Sequence, residues 1–506
     1  MTLSANVVER CSSYALGYKL TSAAGNYLPN RVAVFSPIST DKSAYSAWNI
    51  PVTITSNEQA RRLFGECPAT QIARILKPTV GGGLGTIPMD VFPIQDAAGA
   101  AAAEATLTIT GTAAKDGVVY ISFNGRKTIE GRQCAAAFSK DDTAADVKEA
   151  IKDAVTAFLY APIEVTEDDD TYTMTAKWKG ANSNELKIHF ECSDTGLTFT
   201  DPTFADGADG AISLGTALNN MGDVWYTHVI NIYGSSQFDA FANFNGEPDI
   251  ETNGTGRWNG TVCKPFVCVT GTTESNPETL KALGANRKSD LTNALAPAPM
   301  SPGFSYEAAA NMVVLSAVIA DGYAHMDINN RSYADMPAPA NDYIGSMQSF
   351  NVRDDLVNNG ISTVTYDASN GYTVQSFITF RRPEGQSPLA YDFRYVRDIF
   401  VDFNVIYNYR MREELYLRDK VILNDTDVAS VDNIIRPKDW KAIIFTMIDA
   451  LADLALIADP DYSKANVVVQ IAKNDPQRIN TTLYYKRSGI ARKTSTNAYA
   501  GFNFGA

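Results

Sequence analysis

At 506 residues the chain is too long for a single hydrophobic core, and about two to four domains are expected. Its 45% apolar and 20% charged residues are ordinary for a water-soluble globular protein. The net charge of −14, with no basic block, argues against nucleic acid as a partner.

The first residues, MTLSANVVERCSS, lack a basic start followed by an apolar run, so no secretion signal is expected. The longest apolar stretch, AIIFTMIDALADLALIA from Ala442, is interrupted by Asp449 and Asp453, and no membrane insertion is expected. Six scattered cysteines (Cys11, Cys67, Cys134, Cys192, Cys263, Cys268) without a CxxC pair read as reduced, small apolar residues of a protein made in a cytoplasm.

Residues 1–30 are weakly patterned and read as an N-terminal arm. In 31–96, RVAVFSPI predicts a strand, and SNEQARRLFG predicts a helix opened by a Ser56/Gln59 capping box. PATQIARILK predicts a second helix with Pro68 in its first turn, followed by the glycine-rich VGGGLG and a strand at MDVFPI. AAGAAAAEA then reads as a linker into a module at 97–210. There TLTITG and VVYISFNG predict strands around a Lys-Asp-Gly turn, TAADVKEAIKDAVTAF an amphipathic helix, and IEVTEDDDTYTMTAKW a hairpin. Residues 103–210 hold 10 basic and 19 acidic side chains, so most of the excess negative charge lies in this module.

Residues 211–335 alternate strand and helix patterns, which predicts a mostly parallel sheet. In 336–486, ISTVTYDASNGYTVQSFITF predicts a hairpin turning at Asn370-Gly371, followed by helices at about 391–417 and 437–457 and strands at VVVQIA and INTTLYYK. On the second helix Trp440, Ile443, Ile444, Met447, Leu451 and Leu454 share one face, while Asp449 and Asp453 lie nearly opposite. The last segment, 487–506, ends in NAYAGFNFGA, in which Ala498, Ala500, Phe502 and Phe504 would share one strand face and Tyr499 the other. Overall the chain reads as an α+β multidomain protein.

No catalytic, cofactor or metal site is expected. His189, His228 and His325 lie far apart, and none is beside another ligand type. VGGGLG lacks the Lys-Ser/Thr of a phosphate loop and falls between helix and strand, the wrong order for a dinucleotide fingerprint. The acidic run from Asp168 to Asp170 lacks the alternating ligands and glycine of a calcium loop and reads as a solvated hairpin tip.

GISTVTYDASNGYTVQSFITFRRP resembles a core hairpin of contractile tail sheath proteins, especially those of Mu-like phages. The resemblance continues in order through YDFRYVRDIFVDFNVIYNYRMREEL, IIRPKDWKAIIFTMIDAL and NDPQRINTTLYYK, where Asp475, Pro476 and Arg478 match an Asp-Pro-x-Arg element. VTITSNEQARRLFG is similar to the family's short helix ending in Phe-Gly, and GVVYISFNGRKTI to the module inserted in the Mu-like branch.

The resemblance implies a mixed α/β sheath core built from both chain ends (31–96 and 336–486), a β-rich outward-facing insert, and a strand-forming C-terminal arm. It implies a structural subunit stacking as six-membered rings around a tail tube, with neighbouring sheath subunits, tube, baseplate and terminator proteins as partners. The site would be a virion tail assembled in a bacterial cytoplasm. Ala498, Tyr499, Ala500, Phe502 and Phe504 become candidates for strand exchange between subunits, with Gly489 in the flexible arm leading there. A tail paired within its own sheet is the alternative. Asp449 and Asp453 become candidates for contact with the tube, against a reading as a solvated helix face. Other function classes left open are an enzyme on the middle α/β region and a capsid or adhesion protein.

Overall fold

VAVFS forms strand β1 (Val32–Ser36), and all five residues are buried, as an unbroken apolar run covered on both faces requires. This computed structural model describes residues 27–39, 42–78, 87–249, 251–382, 393–492, 494–498 and 500. Most of the N-terminal arm and the VGGGLG run lie outside the described residues. The chain divides into two compact units, one of Tyr27–Phe403 and one that includes Asn404 onward.

After β1 come β2 (Val52–Ile54), α1 (Asn57–Phe64), α2 (Pro68–Leu76) and β3 (Met89–Pro93). Ser56 Oγ caps α1 by accepting the Gln59 N–H at 3.1 Å, but Gln59 reaches back to the Thr55 N–H rather than to that of Ser56. The predicted capping box is thus offset by one residue.

The acidic insert contains β4 (Glu104–Thr106), β5 (Thr108–Gly111), β6 (Gly117–Phe123), β7 (Cys134–Phe138), α3 (Ala144–Ala157), β8 (Ile163–Asp168), β9 (Thr171–Ala176), β10 (Ile188–Cys192) and β11 (Leu197–Thr200). They form antiparallel sheets in the orders β10-β6-β7, β4-β9-β8 and β11-β5. Asp169 and Asp170 both have positive φ, as the two-residue turn joining β8 and β9 demands. β5 and β6 do not pair across the Lys-Asp-Gly segment. The carboxylate of Asp194 accepts the N–H groups of Ala114 and Lys115 and sends the chain to another sheet. The AAGAAAAEA stretch is not a free linker either: Ala101 bridges Ala208, and the Ala211 N–H donates to the Ala98 carbonyl. A Cβ on Gly210 would meet that carbonyl oxygen at 2.5 Å, so small residues are needed where entry and exit run together.

Beyond the insert are α4 (Gly215–Asn219), β12 (His228–Asn231), α5 (Phe238–Asn245), β13 (Val267–Thr272), α6 (Pro277–Gly284), β14 (Asn293–Pro297) and α7 (Ser305–Tyr323). The main sheet has the order β14-β13-β12-β1-β3-β2, with only β2 antiparallel to its neighbour. Segments 31–96 and 211–335, separate parts in the sequence reading, therefore share one sheet, because β1 finds β12 on one edge and β3 on the other. α7 packs on β12, β13 and β14 and against α2.

Helix α8 (Phe350–Asn358) precedes the hairpin of β15 (Thr363–Asp367) and β16 (Gly371–Ser376). The Asp367 carboxylate accepts the N–H groups of Ser369 and Asn370, and Gly371, at φ 67°, pairs with Asp367. The connection has three residues closed by a left-handed glycine rather than the two-residue Asn-Gly form. α9 (Val396–Tyr416) contains the division between the units.

The second unit has β17 (Val421–Ile422), β18 (Ile434–Ile435), α10 (Pro437–Asp453), β19 (Ile457–Ala458), α11 (Pro460–Ala465), β20 (Val468–Ala472), β21 (Asp475–Thr482) and β22 (Lys486–Arg487).

The insert is joined to the sheet by buried polar contacts. Glu185 accepts the Ser305 N–H at 2.6 Å and the Ser305 hydroxyl at 2.7 Å, and so caps α7 from outside that helix. Arg126 pairs with Glu307 at 3.2 Å and with Asp335, and Glu307 is 2% exposed. Trp178 packs edge-on against Phe304, and Asn182 donates to the Ile232 carbonyl. An insert that merely decorates the core would be removable; these contacts argue that removal injures the core. Arg126→Ala leaves a buried carboxylate unpaired and is expected to cost about 3–5 kcal/mol in urea unfolding of the full chain. Deleting 103–210 with a short join is expected to lower the melting temperature of the remaining chain. An unchanged midpoint for both variants would mean that the insert is energetically separate.

Candidate functional site

The sequence places its candidate residues on α10 and on the final segment. Pro437 stands at the first turn of α10, where its missing N–H costs nothing. Trp440, Ile444, Met447, Ile448, Ala450 and Leu451 are buried on the helix, whereas Ile443 and Leu454 are half-buried. The apolar face is therefore wider than the predicted stripe on the side of Ile448. Trp440 anchors it, with its ring edge-on to Tyr409 at 5.8 Å and its Nε1 donating to Thr481 Oγ1 at 3.0 Å. The helix thereby rests on the hairpin of β20 and β21.

Asp449 and Asp453 differ. Asp449 is half-buried and pairs with Lys464 of α11, while Asp453 is exposed. The sequence reading treated them as equivalent and missed Lys464, because nothing local joins two residues on different helices.

β20 and β21 form a two-stranded antiparallel sheet with no third strand among the described residues. Val468 and Gln470 on β20 and Arg478 on β21 are exposed. Asp475, Pro476 and Arg478 all lie on β21, where Pro476 has no N–H to give to the ladder. Such a hairpin leaves backbone donors and acceptors open along its edges.

The first residues of the expected C-terminal arm are held within the chain. Lys486 and Arg487 pair with β19, and Ser488 donates its N–H to the Leu456 carbonyl at 3.0 Å. Gly489 is exposed, and a Cβ there would meet nothing within 4 Å. Ala498 and Ala500 are exposed and in no strand, while Tyr499, Phe502 and Phe504 lie outside the described residues.

Each histidine has its own partners. His228 is buried between the hydroxyls of Thr227 and Ser316, both at 3.0 Å, and stacks on Phe400. Burial pushes its pKa down to about 3, so it is neutral and serves packing. His189 is exposed beside Asp201, and His325 lies 3.4 Å from the Tyr27 hydroxyl. Burial raises the thiols of Cys67 to about 11 and Cys134 to about 12, away from the range of a nucleophile. Among the described residues no group of three His, Cys, Asp or Glu side chains could hold one metal ion. No described helix is long and apolar enough to cross a membrane.

The tail sheath protein of the Mu-like prophage FluMu from Haemophilus influenzae is 22% identical over 436 residues, 85% of this chain and 84% of that protein. The chain is related to the tail sheath proteins of Mu-like phages. No family model matches it. Among solved structures, the sheath tail protein of Desulfitobacterium hafniense is 12% identical, with a TM-score of 0.43 over 94% of this chain and all of the other. The PVC sheath complex of an extracellular contractile injection system, in its contracted state, is 10% identical, with a TM-score of 0.44 over 98% of each chain.

In the sheath setting, charged groups on α10 are candidates to meet the tube. Asp453, exposed, should matter more than Asp449, whose charge Lys464 already balances. Asp453→Lys is expected to reduce assembly on the tube with unchanged monomer melting, and its difference from the unaltered chain should shrink at high salt, where screening weakens the contact in both. Asp449→Lys is expected to lower the melting temperature as well, by placing like charge against Lys464. Normal tail yield from both variants would remove α10 as a charged tube contact.

Proposed function

We propose that this chain is the structural subunit of a contractile tail sheath. Subunits polymerise as stacked hexameric rings around a tail tube, in an extended metastable state. Contraction then drives the tube through a bacterial envelope during genome delivery, with baseplate and terminator proteins bounding the sheath. The observation that carries this reading is the alignment with a tail sheath protein over 85% of the chain.

The physical demands of contraction agree with the second unit. Neighbouring subunits must rotate and slide without separating, so a tether with flexible ends is required. An added strand meets that demand, because backbone hydrogen bonds hold while the connecting residues change φ and ψ. The β20–β21 hairpin offers open edges, and residues 494–498 and 500 are exposed and make no strand in the chain alone. Exchange of the tail between copies accommodates both facts.

Negative-stain microscopy of the purified chain is expected to show tubes or stacked rings; dispersed particles with a turnover activity would overturn the reading. Truncation after Lys493 is expected to eliminate tubes while leaving the monomer melting temperature nearly unchanged. A fall of many degrees under non-assembling conditions would show instead that the tail is a strand of its own chain's core.

A further inference from the structure

At the carboxyl ends of the parallel strands β12 and β13, an open cleft of about 520 Å³ separates the insert from the main sheet. Its volume falls in the range that receives a whole small molecule, and the ends of parallel strands are where α/β sheets commonly do so. Three carboxylates line it, Glu185 and Asp209 from the insert and Glu274 from the loop after β13, and no Lys or Arg does.

Backbone donors orient all three. Asp209 accepts the Ala181 N–H at 2.8 Å, Glu274 accepts those of Ser275 and Asn276 at 2.7 Å, and Glu185 caps α7. The nearby Lys187 is turned to the Ser301 carbonyl. No cation among the described residues forms an ion pair with any of the three. Tyr233, buried in the wall, has a hydroxyl with no hydrogen-bond partner, and Phe238 and Leu295 supply an apolar stretch. Burial raises the pKa of both Glu185 and Asp209, and at Glu185 it outweighs the opposing effects of the Ser305 hydrogen bonds and of Lys187.

The carboxylates are distributed around the cleft and do not converge as a metal site. Because they come from two walls, Glu185 and Asp209 from the insert and Glu274 from the loop after β13, with Phe238 and Leu295 also in the lining, a ligand with several cationic centres joined by apolar links matches the cleft better than one ion. We infer that the cleft binds a flexible aliphatic polyamine, with protonated nitrogens on Asp209, Glu274 and Glu185 and methylenes against Phe238 and Leu295.

Calorimetric titration of the full-length unassembled chain tests this, with spermidine as ligand and magnesium chloride at matched ionic strength as control. Saturable one-site spermidine binding is expected, weakened about tenfold or more in Asp209→Asn/Glu274→Gln. Both replacements keep an oxygen for the backbone donors, and Glu274→Gln alone serves if the pair lowers the melting temperature. Unsaturable heats, equal binding by the variant, or equal competition by magnesium would overturn the inference. So would loss of assembly in the variant with no spermidine binding by the wild type, which would assign the cleft to a basic side chain of a neighbouring subunit. The titration needs no assembly, so its failure leaves the sheath reading untouched.

Discussion

Helix α7 lies against β13 with no side chain between them at Gly271, where an added Cβ would meet the Ser305 carbonyl oxygen at 1.6 Å. That approach places the start of α7 inside protein, and the rest of the fold accommodates it. The three alanines that follow (residues 308–310) are small and fully buried, so the helix can settle closely on three strands. Its first amide donors cannot turn to water and need acceptors. Glu307 takes the Phe304 N–H, and Glu185 takes that of Ser305. Burying Glu307 in turn requires a cation, which Arg126 provides. Two of these groups come from the insert, so the acidic module completes the core it interrupts.

The same junction explains the cleft. Glu185 stands in its wall because it must reach the helix start, and Asp209 stands there because the entry and exit of the insert run together beside the sheet. A concentration of negative charge follows from holding two chain segments in place. It is on this concentration that the inferred binding of a cationic ligand rests.

The unit that includes Asn404 onward follows a different economy. Among its described residues the amphipathic helix α10 packs against the end of α9 and lies on a two-stranded hairpin whose outer residues face solvent. Two strands alone are marginal in water, and here Trp440 ties them to the helix through Thr481. A sheet left with open edges can accept a further strand, which is the property the proposed tail exchange draws on.

Local patterns were legible in the sequence. Apolar runs marked β1, β12, β13 and β14, period-3.6 stripes marked α3 and α10, and Ser56 and Pro68 marked helix starts, because each depends on residues within one or two turns. The ordered resemblance of the last third to sheath proteins was legible for the same reason, being carried by short contiguous segments. Partner choice was not. That β1 would join β12, nearly two hundred residues on, that Glu185 would cap α7, and that Asp449 would pair with Lys464 all depend on which surfaces meet after folding. A one-dimensional pattern states that a strand has two edges and a carboxylate needs a partner; only the packed chain decides which residues supply them.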